Sequence, residues 1–94
     1  MSDSHTNGAI KISILNIQRR LLPRAYELQQ RLLDGEEPDE YDLEFLTQLH
    51  KAIQDLQSLT IDHKEHYSFL AHTITLYRQL VHKALENTPD NPNY

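Results

Sequence analysis

Six histidines stand in a chain of 94 residues that contains no cysteine. Any transition metal held here would therefore be bound by imidazole nitrogen and carboxylate oxygen. The one stretch with suitable spacing is Asp62-His63-Lys64-Glu65-His66. Asp62 and His66 are four residues apart and His63 and His66 three, and on a helix both spacings share a face. Asp62, His63 and His66 are thus the candidate ligands for zinc or iron. The run departs from the inverted form of H-E-x-x-H, which needs His where Asp62 stands. A carboxylate di-iron centre needs E-x-x-H pairs, which the chain lacks. The reading taken forward is structural. Asp62 caps a helix, His63 and His66 sit at the end of a bundle, and no cofactor is expected.

The other histidines offer less. His50 falls on the margin of an apolar helix face, His72 and His82 fall on an outer face, and His5 lies in the polar N-terminal segment. Ser68 and His72 are four apart, but both face outward with no third group to orient the imidazole and no G-x-S-x-G elbow. Two glycines are too few for a phosphate-cradling loop.

Three segments with helical periodicity must position these residues. The first spans Ile10 to Leu33, with Ile14, Leu21, Ala25, Leu28 and Leu32 on one stripe widened by Ile10, Leu15, Ile17 and Leu22. Asp34-Gly35 ends it, glycine being suited to a left-handed cap. Pro23 lacks an amide hydrogen and opposes the Arg19 carbonyl, so a kink is expected between Arg20 and Arg24. The second segment spans Glu40 to Leu59 on a spine of Leu43, Leu46, Leu49, Ile53 and Leu56, with Phe45, Ala52 and Leu59 beside it and Asp39 and Asp42 as a capping pair. The third runs from His63 to Asn87, capped by Asp62 and Glu65. Its seam is Tyr67, Leu70, Ile74, Tyr77, Val81 and Ala84, flanked by Phe69, Leu76, Leu80 and Leu85. Short breaks at 35–38 and 60–61 return each helix antiparallel to the last. The fold expected is all-α: an antiparallel three-helix bundle over residues 10–87, kinked at Pro23, with loose tails at 1–9 and 88–94.

Charge is distributed unevenly. The first helix carries Lys11, Arg19, Arg20, Arg24 and Arg31 against Glu27 alone, and the segment after it carries Glu36, Glu37, Asp39, Glu40, Asp42 and Glu44. In an antiparallel hairpin these acids lie beside Arg31, so mutual pairing competes with docking of external partners, for which charge sets encounter rate and specificity.

The apolar arcs of the first and third helices are wider than one neighbour needs. In a thin bundle the surplus suits a two-fold contact between copies. Leu15, Leu22, Tyr26 and Gln29 are placed at that contact, with Arg20, Arg24 and Arg31 on its margin. Gln18 and Gln29 lie within the arc, where a buried amide requires a partner.

The formal net charge of −5 provides no broad basic face, so nucleic-acid binding is not expected. No run approaches the ~20 apolar residues of a membrane span, and the N-terminus lacks the pattern of a secretory leader. The sequence points to a small cytoplasmic homodimer acting in protein–protein interaction or as an adaptor, possessing no catalytic activity of its own. The alternative is a small helical metal-binding protein or enzyme using the histidines at the start of the third helix.

Overall fold

The computed structural model describes residues 2–89. Met1 and residues 90–94 lie outside that range, so the expected C-terminal tail is described only through Pro89. Helices α1 (Ser2–Asn16) and α2 (Leu22–Leu33) are joined by a π-helical turn over Ile17–Leu21; α3 (Glu40–Leu59) follows, then a 3₁₀ turn at Lys64–His66 and α4 (Tyr67–Asn87). The described residues contain no strand, and no helix among them is long and apolar enough to cross a membrane.

Helical conformation runs unbroken from Ser2 to Leu33. It begins within the segment expected to be a tail and continues through Pro23. The π turn immediately precedes that proline, and in it the Leu22 amide donates to the Ile17 carbonyl, five residues back. Proline can neither donate to the ladder nor pack closely on the carbonyl four residues before it. A wider turn just upstream provides room for the ring, which is exposed near the start of α2.

The turn after α2 is a Schellman closure. Gly35, at φ +90°, donates from its amide to the Leu32 carbonyl at 3.0 Å, and the Glu36 amide donates to the Arg31 carbonyl at 3.1 Å. Helix α3 opens with the expected capping box. The Asp42 amide donates to Asp39 Oδ1 at 2.8 Å, and the Asp39 amide donates to Asp42 Oδ2 at 3.0 Å. The start of the last helix differs from expectation. Lys64–His66 form a 3₁₀ turn, and no side chain caps either that turn or α4, so Asp62 and Glu65 do not form a box. The Tyr67 hydroxyl instead donates to the Ile61 carbonyl.

The α1–α2 rod runs antiparallel to α3, and α3 antiparallel to α4, giving an elongated body of 57 × 26 × 20 Å. Ile10, Ile17, Leu28, Leu49, Leu56 and Leu80 are at most 1% exposed and form the centre of the core. Two expectations about faces are corrected. Leu43, assigned to the spine of the second helix, is 52% exposed, while Phe45 is buried. In α4 the buried line is Leu70, Thr73, Leu76, Leu80 and Ala84, rotated from the expected seam; Tyr67 and Leu85 are exposed, and Ile74, Tyr77 and Val81 are half-buried. Thr73 and Thr60, both fully buried, tolerate burial because their hydroxyls donate to the Phe69 and Leu56 carbonyls at 2.9 and 2.7 Å.

The far end of the bundle is clasped by Asn87, whose side-chain amide donates to the Leu32 carbonyl at 2.7 Å and the Glu36 carbonyl at 2.9 Å. Asn87→Ala is expected to reduce stability by ~1–2 kcal/mol, against ~2–5 kcal/mol for truncating the fully buried Leu49 to alanine. Urea unfolding followed by circular dichroism compares the two. Equal losses would show that the clasp holds more than its two hydrogen bonds.

Candidate functional site

The histidine cluster at the α3–α4 turn is not brought together as a ligand set. His63 Nδ1 lies 3.5 Å and His66 Nε2 3.7 Å from the same oxygen of Glu65, an exposed carboxylate, while Asp62 is exposed. Among the described residues no group of three or more His, Asp or Glu side chains is placed to hold a metal ion. Hydrogen bonding to its own backbone amide, then the nearby His66 and His63, holds the Glu65 carboxyl below the usual carboxylate range.

Of the other histidines, His72 and His50 make contacts between helices and His82 makes one within α4. His72 Nε2 lies 3.1 Å from the Tyr26 hydroxyl, joining α4 to α2. His50 stacks on Tyr77, with centroids 5.2 Å apart and planes 16° from parallel, joining α3 to α4. His82 lies 3.3 Å from Glu86 one turn along α4. His72 therefore has a cross-helix partner that sequence spacing, which offered only Ser68, did not reveal.

The arginines of the first rod divide into two groups. Arg31 forms a two-pronged pair with Asp42, Nη2 to Oδ1 at 2.5 Å and Nη1 to Oδ2 at 3.2 Å. Arg24 lies over the Phe45 ring, 4.6 Å from its centroid. These two are engaged with α3. Arg19 and Arg20 are exposed and make no ion pair among the described residues.

Of the residues expected at a subunit contact, Tyr26 and Gln29 lie toward α4, and Leu15 lies beside Glu65 and His66 in the turn before it. Leu15 and Leu22 are half-buried, Leu22 packing against the core; Tyr26 is 45% exposed, and Gln29 is half-buried, whereas Gln18 is exposed. Near the end of the rod's edge toward α4, Gln29, Leu32 and Leu33 face Gln79, Leu80, His82 and Lys83 across a groove of 340 Å³. Leu33 is 63% exposed at its lip, and half-buried Lys83 has no ion partner among the described residues. Sequence reasoning missed Leu33 and Lys83. Their signal was a leucine following the last core position of its helix and a lysine preceding one.

Comparison of the chain with known protein families, curated proteins and solved structures finds no match.

The Arg31 guanidinium, hydrogen-bonded to Asp42, holds the Asp42 carboxyl below the usual range, helped by the Asp39 amide. A carboxyl with a lower pKa folded than unfolded adds stability above its unfolded pKa, and that stability is lost as pH falls through the folded value. Thermal midpoints are therefore expected to drop from about pH 4 downward. Asp42→Asn should be less stable at neutral pH and should flatten the acid limb. An acid limb of unchanged steepness in Asp42→Asn would place the responsible carboxyl elsewhere.

Proposed function

We propose that this is a small cytoplasmic interaction or adaptor protein that acts by docking a protein partner, without catalysis of its own. The observation that carries the reading is the α2–α4 groove, with buried Leu32 and Leu80 at its base and Leu33 exposed at its lip. A recess of this size accepts an apolar side chain or two, the kind of pocket in which interface anchors seat. The amides of Gln29 and Gln79 and the Lys83 ammonium border it and supply directional polar contacts. Tyr26 and Gln29, which the sequence places with Leu15 and Leu22 at a two-fold contact between copies, are assigned here to the docking surface instead. Arg19 and Arg20, which form no ion pair among the described residues, would steer an acidic partner toward the rod, an effect that weakens with salt.

A metal-dependent role is the second reading. It would use Asp62, His63 and His66 and would require their side chains to reorient, since both histidines approach Glu65 instead.

A photo-crosslinking residue at Gln79, carried by the full chain in its native cells, is expected to trap a distinct protein. That adduct should disappear on Leu33→Asp, which alters a side chain already largely in water. Capture unaffected by Leu33→Asp would remove the groove from the reading. Elemental analysis of untagged protein tests the metal alternative: a stoichiometric zinc or iron lost on His63→Ala and His66→Ala would replace docking with metal binding as the leading function.

A further inference from the structure

We infer that the free edge of the α3–α4 hairpin, on the side away from the α2–α4 groove, is the contact between two copies of this chain. This goes beyond the docking role and involves a different surface. The stacking of His50 on Tyr77 fixes the register of the antiparallel hairpin. Along α3 the edge is Leu43, Thr47, His50, Gln54, Gln57 and, just past the helix, Ile61; all six are exposed. Along α4 it is Tyr67, Ala71, Ile74, Arg78, Val81 and Leu85, of which only Ile74 and Val81 are half-buried. Both lines advance by alternating steps of four and three, the spacing with which one helix addresses another.

The fully buried core of this chain does not use those lines; from them only Ile74 and Val81, both half-buried, pack against it. In α4 it takes the neighbouring stripe through Thr73, Leu76 and Leu80, so the heptad-spaced line is left at the surface with Leu85 69% and Tyr67 42% exposed. The register places Leu43 beside Leu85 at one end. Tyr67 and Ile61 meet at the other, where the tyrosine hydroxyl donates to the Ile61 carbonyl.

Charge identifies the occupant. Arg78 is the only Asp, Glu, Lys or Arg in the twelve positions of the two lines, in a chain that has 23 such residues. The edge where α3 meets the first rod carries charge beside its apolar surface: Arg24 lies over Phe45, Arg31 is paired with Asp42, and Asp55 lies near the exposed Ile12. An edge almost without charge favours neither an acidic nor a basic partner, and charge depletion marks the centre of an interface. Near the middle of the edge, Gln54 and Gln57 border the same depression as His50 and Tyr77. An amide both donates and accepts, so one lying at a two-fold axis is complementary to its own copy. The size also fits. A strip about 30 Å long and 20 Å wide removes ~600 Å² from each copy, ~1,200 Å² in all, the lower end of the range for stable pairs.

Sedimentation equilibrium at tens of micromolar is expected to give twice the 11.0 kDa chain mass. The mass should hold at low and high salt alike. Leu43→Glu with Leu85→Glu, both at exposed positions, should raise the dimer dissociation constant at least ~100-fold, while Leu33→Asp in the α2–α4 groove leaves the mass unchanged. Because the chain has no cysteine, Gln54→Cys gives a clean second measurement: under mild oxidation it should form a disulfide-linked dimer, and Gln79→Cys should not. A monomeric wild type overturns the inference and leaves the docking groove untouched. A dimer that survives the glutamate pair overturns it as well. If Leu33→Asp dissociates that dimer instead, the groove is the self-contact and the external partner is lost from the proposed function.

Discussion

The carboxylate of Asp42 accepts three hydrogen bonds at once: two from Arg31 in the last turn of α2 and one from the amide of Asp39 at the head of α3. With Asp42 only 7% exposed, an unpaired charge there would be costly, so the residue is tolerable only when all three donors are in place. That requirement fixes where α3 begins and which side of it faces the first rod. The Schellman closure at Gly35 and the Asn87 clasp act at the same end and bring the last turn of α4 into the arrangement. Once α3 is set in phase by Asp42, Leu49, Ile53 and Leu56 have one direction in which to point, and α4 must present Leu76 and Leu80 to meet them.

Three helices around one axis bury only a single stripe of each. A body 20 Å thin in its least dimension has no second layer into which a wide apolar arc can turn. The surplus therefore appears along the edges where two helices meet, on the α2–α4 side around Leu33, on the α3–α4 side around Leu43 and Leu85 and on the α1–α3 side around Ile12. Loose side chains are partly disciplined there: Tyr26 is tied to His72, His50 lies flat on Tyr77, and Arg24 covers Phe45. These contacts reduce the conformational freedom of the edges while leaving apolar carbon facing water. Ordered apolar edges of this kind suit docking better than catalysis, because what they offer a partner is shape and apolar area.

The π turn is a local answer to a local problem. Pro23 sits within a rod whose two halves contribute Ile10 and Ile17 on one side and Ala25 and Leu28 on the other to a common core. Breaking the helix would have separated these halves. Widening one turn keeps both in the core, where the buried stripe continues through Ile10, Ile17, Leu21, Ala25, Leu28 and Leu32.

Sequence alone determined the helical class, the three segments and their turns, the capping box at Asp39 and Asp42, and the glycine closure at Gly35. Each rests on interactions within a few residues, which apolar periodicity and cap chemistry record directly. It also anticipated that acids after the first helix would lie near Arg31, because a short turn leaves little choice. The start of α1 at Ser2 was not legible, since polar residues and Gly8 carry no apolar stripe. Nor was the uncapped start of α4, where a sequence-perfect D-x-x-E run yields to a 3₁₀ turn. Rotation of α4 was the larger miss. The expected seam of Tyr67, Leu70, Ile74, Tyr77, Val81 and Ala84 shares Leu70 and Ala84 with the buried line, but between them burial passes through Thr73, Leu76 and Leu80, and Thr73 reads as polar until its hydroxyl is seen to donate to the Phe69 carbonyl. Periodicity shows that a helix has an apolar arc; only packing against α2 and α3 together selects which part of the arc is buried and which is left at the surface. The partners of Tyr26, His50 and His72 were decided in the same way, because contacts between residues tens of positions apart depend on the relative phase of two helices, which neither helix encodes by itself.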